Sequence, residues 1–310
     1  MKILFMGTPD FAVFSLRALV EAGEDVIGVI TQPDKPKGRG YTLTPPPVKV
    51  YAEQVGLPVW QPTTLRDESF AQLLAELAPE LIAVVAYGKI LPESVINFPK
   101  YRCVNVHGSL LPEYRGAAPM QRAIIDGKET TGITTMYMDV GLDTGDMILK
   151  EEINIEDSDN FESIHDKLGA LGAELLVKTV KLIAEGRAPA EAQDSSKATY
   201  AAKIEKSDCL LDFSRSAREV HCLIRGLSPI PLSFTHTADG KLLKVISAER
   251  IDKTYDAPAG TVVSLDDGGI TVACGEGAVK LTAVLPEGKG RMPAADFIRG
   301  RKVALRDILK

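Results

Sequence analysis

Asn105 and His107 stand two residues apart in the run Cys103-Val104-Asn105-Val106-His107. On a β-strand, residues two apart point to the same face. The alternation therefore sends Val104 and Val106 to a core, and the amide and imidazole together to the other side. Gly108 ends the strand, and Ser109, Leu110, Leu111 and Pro112 carry the chain away. In open parallel sheets the carboxyl end of a strand is where ligands bind. An amide donor and a titratable ring aimed at one point can hold a developing oxyanion and move a proton. A carboxylate beside the imidazole favours its charged form and extends the proton path. Asp143 is the candidate, because the order of strands can bring its loop to the end of the histidine strand. Asp139 and Asp146 compete with it in the same loop. Ser109 reads as a turn or ligand hydrogen-bonder, since no G-x-S-x-G elbow is present.

Such residues need a scaffold. Residues 2–6 read as a buried strand. Phe11, Phe14, Ala18, Leu19 and Ala22 then form one face of a helix that Gly23 stops, and residues 26–30 are a second buried strand. An opening of this βαβ kind calls for a parallel sheet with a right-handed crossover. Its first turn lacks G-x-G-x-x-G, so no dinucleotide is expected there. The periodicity predicts further helices over 48–55, 68–77 and 118–127, and strands over 57–60, 81–87, 131–138 and 147–155. Asp159 with Glu162 reads as the capping pair of a helix running to about residue 185. The expected class is α/β, a Rossmann-like and mostly parallel sheet with helices on both faces.

At 310 residues the chain is comfortable for two domains. Residues 189–206 lose periodicity and gain Ala, Ser and charge, the composition of a linker. Beyond them come a short helix over 218–227, short strands, the turn dipeptides Asp239-Gly240 and Asp267-Gly268, and a brief helix over 293–300. That pattern suggests a small β-barrel or sandwich, with an OB-like barrel expected. The predicted domains are 1–188 (catalytic), 189–206 (linker) and 207–310 (barrel). Four cysteines without a CxxC pair and four histidines without ligand spacing suggest neither a disulfide framework nor a metal site. No apolar run is long enough to span a bilayer and the first ten residues do not form a signal peptide, so a cytoplasmic protein is expected.

The net charge of −6 does not advertise nucleic-acid binding. It is unevenly spread, with roughly −8 in residues 1–206 and roughly +2 in 207–310. An RNA partner must therefore be held by local basic patches. One is the long connection over 31–48, which carries Lys35, Lys37 and Arg39 among glycines and prolines. Strand-to-helix connections usually run about two to six residues, and long ones are often functional. Residues 88–92, leaving the strand over 81–87, can offer backbone groups and the apolar wall of Ile90 to a flat ligand.

The segments MGTPDFAV, QPDKPKGRG, AYGKIL, NVHGSLLPEYRGAAP and GLDTGDM, in that order, closely resemble the folate-dependent formyltransferases. The likeness extends over nearly the whole chain, including the tail. It implies 10-formyltetrahydrofolate as donor, the amine of initiator methionyl-tRNA as acceptor, and no metal. By position it makes Asn105, His107 and Asp143 catalytic, and Ser109, Leu110, Leu111 and Pro112, with Ile90, contacts to the folate. It makes Lys35, Lys37 and Arg39 an arm that meets the tRNA acceptor end, and the basic C-terminal barrel a holder of more distant backbone. A monomer is expected. A formyltransferase acting on a small amine would share the Asn-His-Asp site, but would leave the arm and the C-terminal domain unexplained. An RNA-binding protein with a degenerate site would not need all three side chains.

Overall fold

The apolar run Ile3–Gly7 (β1) is buried at every position. It is an interior strand of a seven-stranded sheet with β2 (Val26–Ile30), β3 (Val59–Trp60), β4 (Leu81–Val85), β5 (Cys103–His107), β6 (Thr130–Tyr137) and β7 (Met147–Asn154). The computed structural model describes residues 1–37 and 42–310. The strand order is β7-β6-β5-β4-β1-β2-β3. β1 lies parallel to β2 and β4, β2 to β3, and β4 to β5. β5 then meets β6 antiparallel, with Asn105 opposite Met136 and His107 opposite Thr134. The two candidate side chains thus lie where the sheet changes from parallel to antiparallel pairing.

The two faces of this sheet are covered by different elements. Leu4, Met6, Ile82, Val84 and Cys103 form one core with Phe70 and Leu74 of the helix Glu68–Leu77. On the other side a Cβ added at Gly172, in the helix Phe161–Ala184, would stand 3.0 Å from Val106. At Gly7 an added Cβ would lie 2.7 Å from Ala12, so glycine is what allows the helix Asp10–Glu21 to leave β1 so tightly.

Several element ends differ from the sequence reading by one or two residues, and two of them have a visible cause. The cap of the long helix is Asn160, which accepts from the Ser163 amide at 3.0 Å while Ser163 Oγ accepts from the Asn160 amide at 3.0 Å. The expected Asp159–Glu162 pair is thus displaced by one residue. Asp159 instead accepts from the Glu156 amide and the Ser163 hydroxyl. The strand expected over 81–87 stops at Val85, because Ala86 turns into the left-handed region at φ 46°.

By contact the chain divides into two units: Met1–Gly116, Gly132–Ile153 and His165–Tyr200 in one, and Ala117–Thr131, Asn154–Ile164 and Ala201–Lys310 in the other. The second unit contains a sheet of its own. Its strands are β8 (Ser233–His236), β9 (Leu242–Ile251), β10 (Val262–Asp266), β11 (Gly269–Ala273), β12 (Ala278–Pro286) and β13 (Met292–Pro293), in the order β8-β9-β12-β11-β10 with β13 on β12. Neighbouring strands in this sheet pair antiparallel. Val245, Val272 and Leu281 from this sheet share a core with Val220 and Ile224 of the helix Ala217–Gly226, whose Ser216–Glu219 capping box fixes its start. The helix Pro119–Ile125 crosses it closely, since a Cβ at Gly226 would stand 2.7 Å from Ile125. Arg122 reaches Asp208 at 2.6 Å, and Arg225 Nη1 donates to the carbonyls of Glu156 and Asp159 at 2.7 and 3.2 Å.

Candidate active site

β5 delivers both side chains as the alternation requires. Val104 and Val106 are buried, Asn105 is half-buried, and His107 is 6% exposed. His107 Nε2 lies 2.9 Å from the Tyr114 carbonyl oxygen. A carbonyl only accepts, so Nε2 carries the hydrogen and Nδ1 is turned toward Asp143. Asp143 Oδ2 stands 3.7 Å from Nδ1. That exceeds a direct hydrogen bond and leaves the pair open to a bridging group. The same oxygen accepts the Gly116 amide at 2.8 Å, which ties the carboxylate to the turn below the histidine.

The competing carboxylates are engaged elsewhere. Asp139 Oδ1 accepts from the Gly141 amide at 3.0 Å and the Thr144 hydroxyl at 2.6 Å, shaping the loop from within. Asp146 faces Arg102 at 3.9 Å. Asp143 itself takes φ 52°, a left-handed conformation that an aspartate tolerates better than most residues. A Cβ at Gly145 would collide with the Tyr137 carbonyl oxygen, so the loop can return to β7 only through glycine.

The turn after β5 is fixed from inside. Ser109 Oγ donates to the Glu113 carbonyl at 2.6 Å, and Thr134 Oγ1 donates to the Ser109 carbonyl at 2.7 Å while accepting the Leu111 amide at 3.1 Å. Leu111 is buried with Met136 and Met147, Leu110 lies against Gly132, and Pro112 is half-buried. Ile90 is 83% exposed. Lys35 is exposed on the short strand Lys35–Lys37, which pairs antiparallel with Thr42–Thr44. Arg39 and the side chain of Lys37 lie outside the described residues. Just before the first of these paired strands, hydrogen bonds from Gln61 and then Lys49 hold the Asp34 carboxyl below its ordinary range.

Three further side chains complete the site. Arg115, 2% exposed, places Nε and Nη2 at 3.1 and 2.7 Å from Gln193 Oε1. Gln193 Nε2 donates to the carbonyls of Asp143 and Gly145, each at 2.8 Å. The Thr199 hydroxyl accepts the Tyr114 amide at 2.8 Å. Arg115 sits in a motif the sequence singles out, but Gln193 and Thr199 carry no such signal. They fall in a polar stretch without periodicity. Among the described residues no three His, Cys, Asp or Glu side chains gather to hold a metal, and no helix is long and apolar enough to cross a membrane.

A mixed sheet with an Asn-His pair at the end of β5, a loop carboxylate facing the imidazole, and a separate antiparallel C-terminal sheet make up a two-part architecture with a candidate acyl-transfer site. The family model for formyl transferase matches residues 1–180, and that for the formyl transferase C-terminal domain matches 203–302. The chain belongs to the formyl transferase family. Relatives that match almost end to end have a narrower name. A methionyl-tRNA formyltransferase of Geotalea daltonii is 49% identical over 304 residues, covering 98% of this chain and 96% of that one. One of Bacillus subtilis is 48% identical over 309 residues, covering 99% and 97%. Among solved structures, an N-formyltransferase from Helicobacter canadensis in complex with folinic acid and dTDP-3-aminofucose has a TM-score of 0.68 at 18% identity, covering 91% of this chain and 99% of that one. HypX from Aquifex aeolicus in complex with tetrahydrofolic acid has a TM-score of 0.64 at 16% identity, and this chain, 96% covered, spans 47% of its length. At those identities the structures share the fold.

Proposed function

We propose that this protein transfers the formyl group of 10-formyltetrahydrofolate to the free amine of initiator methionyl-tRNA. The observation that carries the reading is the near-full-length identity to methionyl-tRNA formyltransferases of both species, catalytic and C-terminal parts together. The geometry supplies the chemistry. The methionyl nitrogen attacks the formyl carbon, and the carbonyl electrons pass to oxygen. In this reading the Asn105 amide N–H and the Nδ1–H of His107 in its doubly protonated form hold that oxyanion. The attacking nitrogen loses a proton, by way of a group bridging His107 and Asp143, and the departing folate nitrogen gains one as its bond to the formyl carbon breaks. No covalent enzyme intermediate is needed, and Ser109 is not a nucleophile in this reading, its hydroxyl donating to the Glu113 carbonyl.

The folate contacts belong to the same proposal. We assign the contacts in this turn to Ser109, Leu110, Leu111 and Pro112: the Ser109 hydroxyl donates to Glu113 and keeps its acceptor capacity, and Leu111, whose side chain is buried, contributes its main chain. The exposed Ile90 side chain offers an apolar wall. The tRNA would be held by the arm that carries Lys35, Lys37 and Arg39, together with the basic C-terminal domain over 207–310, with 189–206 as the connection from a catalytic domain over 1–188. We read that C-terminal sheet as an OB-like barrel. Residues near the C-terminus support it by pairing with both edge strands: Lys310 exchanges bonds of 2.7 and 3.0 Å with His236 of β8, while Arg306 and Asp307 bond Val262 of β10 at 2.9 and 2.8 Å. We read the protein as a cytoplasmic monomer. All four cysteines are free and buried, as a reducing compartment favours.

The test is transfer of a labelled formyl group from 10-formyltetrahydrofolate, with initiator methionyl-tRNA, elongator methionyl-tRNA and glycinamide ribonucleotide offered in parallel. Formylation of the initiator species is the expected result. Formylation of the small amine alone would keep the site and overturn the tRNA acceptor.

A further inference from the structure

Residues 191–199 behave as a strap across the candidate site. Glu191 pairs with Met147 at the start of β7 through two backbone bonds of 2.8 and 2.9 Å. Asp194 then caps a short turn by accepting from the Ser196 amide and hydroxyl. The strap ends on the other side of the site, where the Thr199 carbonyl accepts the Arg115 amide at 2.9 Å and its hydroxyl accepts the Tyr114 amide at 2.8 Å. Between these anchors Gln193 points inward.

Every hydrogen-bonding position of the Gln193 amide is filled. Its oxygen takes the fork of Arg115, and its two N–H groups go to Asp143 and Gly145. The orientation is forced, because a guanidinium only donates and the two carbonyls only accept. One side chain therefore clamps both sides of Thr144 and holds the backbone of Asp143 in its left-handed conformation. Arg115 also belongs to the turn that positions the imidazole, between Tyr114, which accepts from His107, and Gly116, which donates to Asp143. The network joins the two halves of the pair separated by 3.7 Å.

We propose that Gln193 is a positioning residue for the His107–Asp143 pair, acting through the Asp143 backbone and anchored by Arg115. The proposal rests on the catalytic reading of that pair given above.

Gln193→Glu is the discriminating variant. It keeps an oxygen for Arg115, so the buried guanidinium stays paired, but it replaces both donated N–H groups with a carboxylate facing two carbonyls. With the full-length protein and initiator methionyl-tRNA, kcat should fall roughly ten- to hundredfold while KM for the folate changes far less. The deficit should narrow as pH is lowered through the carboxylate range, because the introduced carboxyl regains one donor once it is protonated. Hydrogen exchange at the amides of 142–146 should quicken. His107→Ala is measured beside it. If His107→Ala is inactive and Gln193→Glu keeps the wild-type kcat and pH profile, Gln193 has no positioning role. A Gln193→Glu variant that loses activity equally at every pH, together with its thermal midpoint, would overturn the proposal as well, since that is general damage. Activity surviving in His107→Ala would instead overturn the catalytic reading, and this proposal with it.

Discussion

His107 is held at one ring nitrogen by Tyr114 and faces Asp143 with the other, so removing the ring and removing the charge opposite it are separate experiments. His107→Ala should lower turnover by roughly 10²–10⁴, with little change in tRNA affinity measured by filter binding. Near-normal turnover would remove the ring from the mechanism. Asp143→Asn keeps an oxygen for the Gly116 amide but carries no charge. Turnover should fall with the thermal midpoint unchanged; a wild-type kcat would leave Asp143 only its loop role. Asp139→Asn, whose oxygen serves Gly141 and Thr144, should leave the chemistry nearly intact. Asn105 and His107 were legible in the sequence because a strand's period of two puts them on one face whatever the rest of the fold does. Asp143 was named ahead of Asp139 and Asp146 from strand order and family likeness, but the contacts of the three carboxylates could not be read there. In the structure Asp143 lies 3.7 Å from His107 Nδ1, while Asp139 bonds within its loop and Asp146 faces Arg102, contacts that leave no mark in residue type. Cys103 belongs to this strand but not to the chemistry, since burial pushes its thiol up to about 12. It should resist alkylation in the native protein.

At the scale of elements, apolar runs located β1, β2 and β4 and the long helices because these bury a face or both faces, and burial writes a regular pattern. The strap over 191–199 buries little and works through single hydrogen bonds of long range, so its composition reads as a connection. The helix cap fell one residue from its expected place for a similar reason. Asp159 and Asn160 are both good caps, and Ser163 selects the second. The segment near the C-terminus is another such element. It bonds both edges of the six-stranded sheet and sends Leu309, 3% exposed, into the core. Leu309→Ala should cost about 2–5 kcal/mol in thermal or denaturant unfolding. Deleting residues 306–310 should also free the outer edges of β8 and β10 and promote self-association, visible by light scattering. A deletion variant that melts like the parent would mean that the sheet needs no closing segment. The arm has its own anchor in Asp34, bonded to Lys49 and Gln61. Asp34→Ala should raise KM for tRNA while sparing KM for the folate, and Arg39→Ala should do the same if the arm meets the acceptor end.

Across the whole molecule, sequence order and spatial order part company. The chain read from its N-terminus gives an α/β part, a polar stretch and a β part, and the two family matches follow that order. In space, Ala117–Thr131 and Asn154–Ile164 gather with Ala201–Lys310. What joins them is a close helix crossing at Gly226, the Arg122–Asp208 pair, and guanidinium groups of Arg218 and Arg225 donating to the carbonyls of Gly127, Glu156 and Asp159. None of these has a period that a sequence could display. They do have a consequence for dissection. A fragment ending at residue 206 keeps the helix Pro119–Ile125 but loses its partner helix Ala217–Gly226, and it leaves three carbonyls without their cationic donors. Groups stripped of such partners cost more than the bonds contributed while formed. The 1–206 fragment should therefore melt below the full chain, and its amides in 117–131 and 154–164 should exchange far faster by mass spectrometry. Those in β1, β4 and β5 should stay protected, because their cores lie wholly within the other unit. Equal protection of 117–131 in the fragment and the full chain would mean that these stretches hold their structure without the C-terminal part. A loss of function on truncation could then be assigned to missing tRNA contacts rather than to a loosened fold.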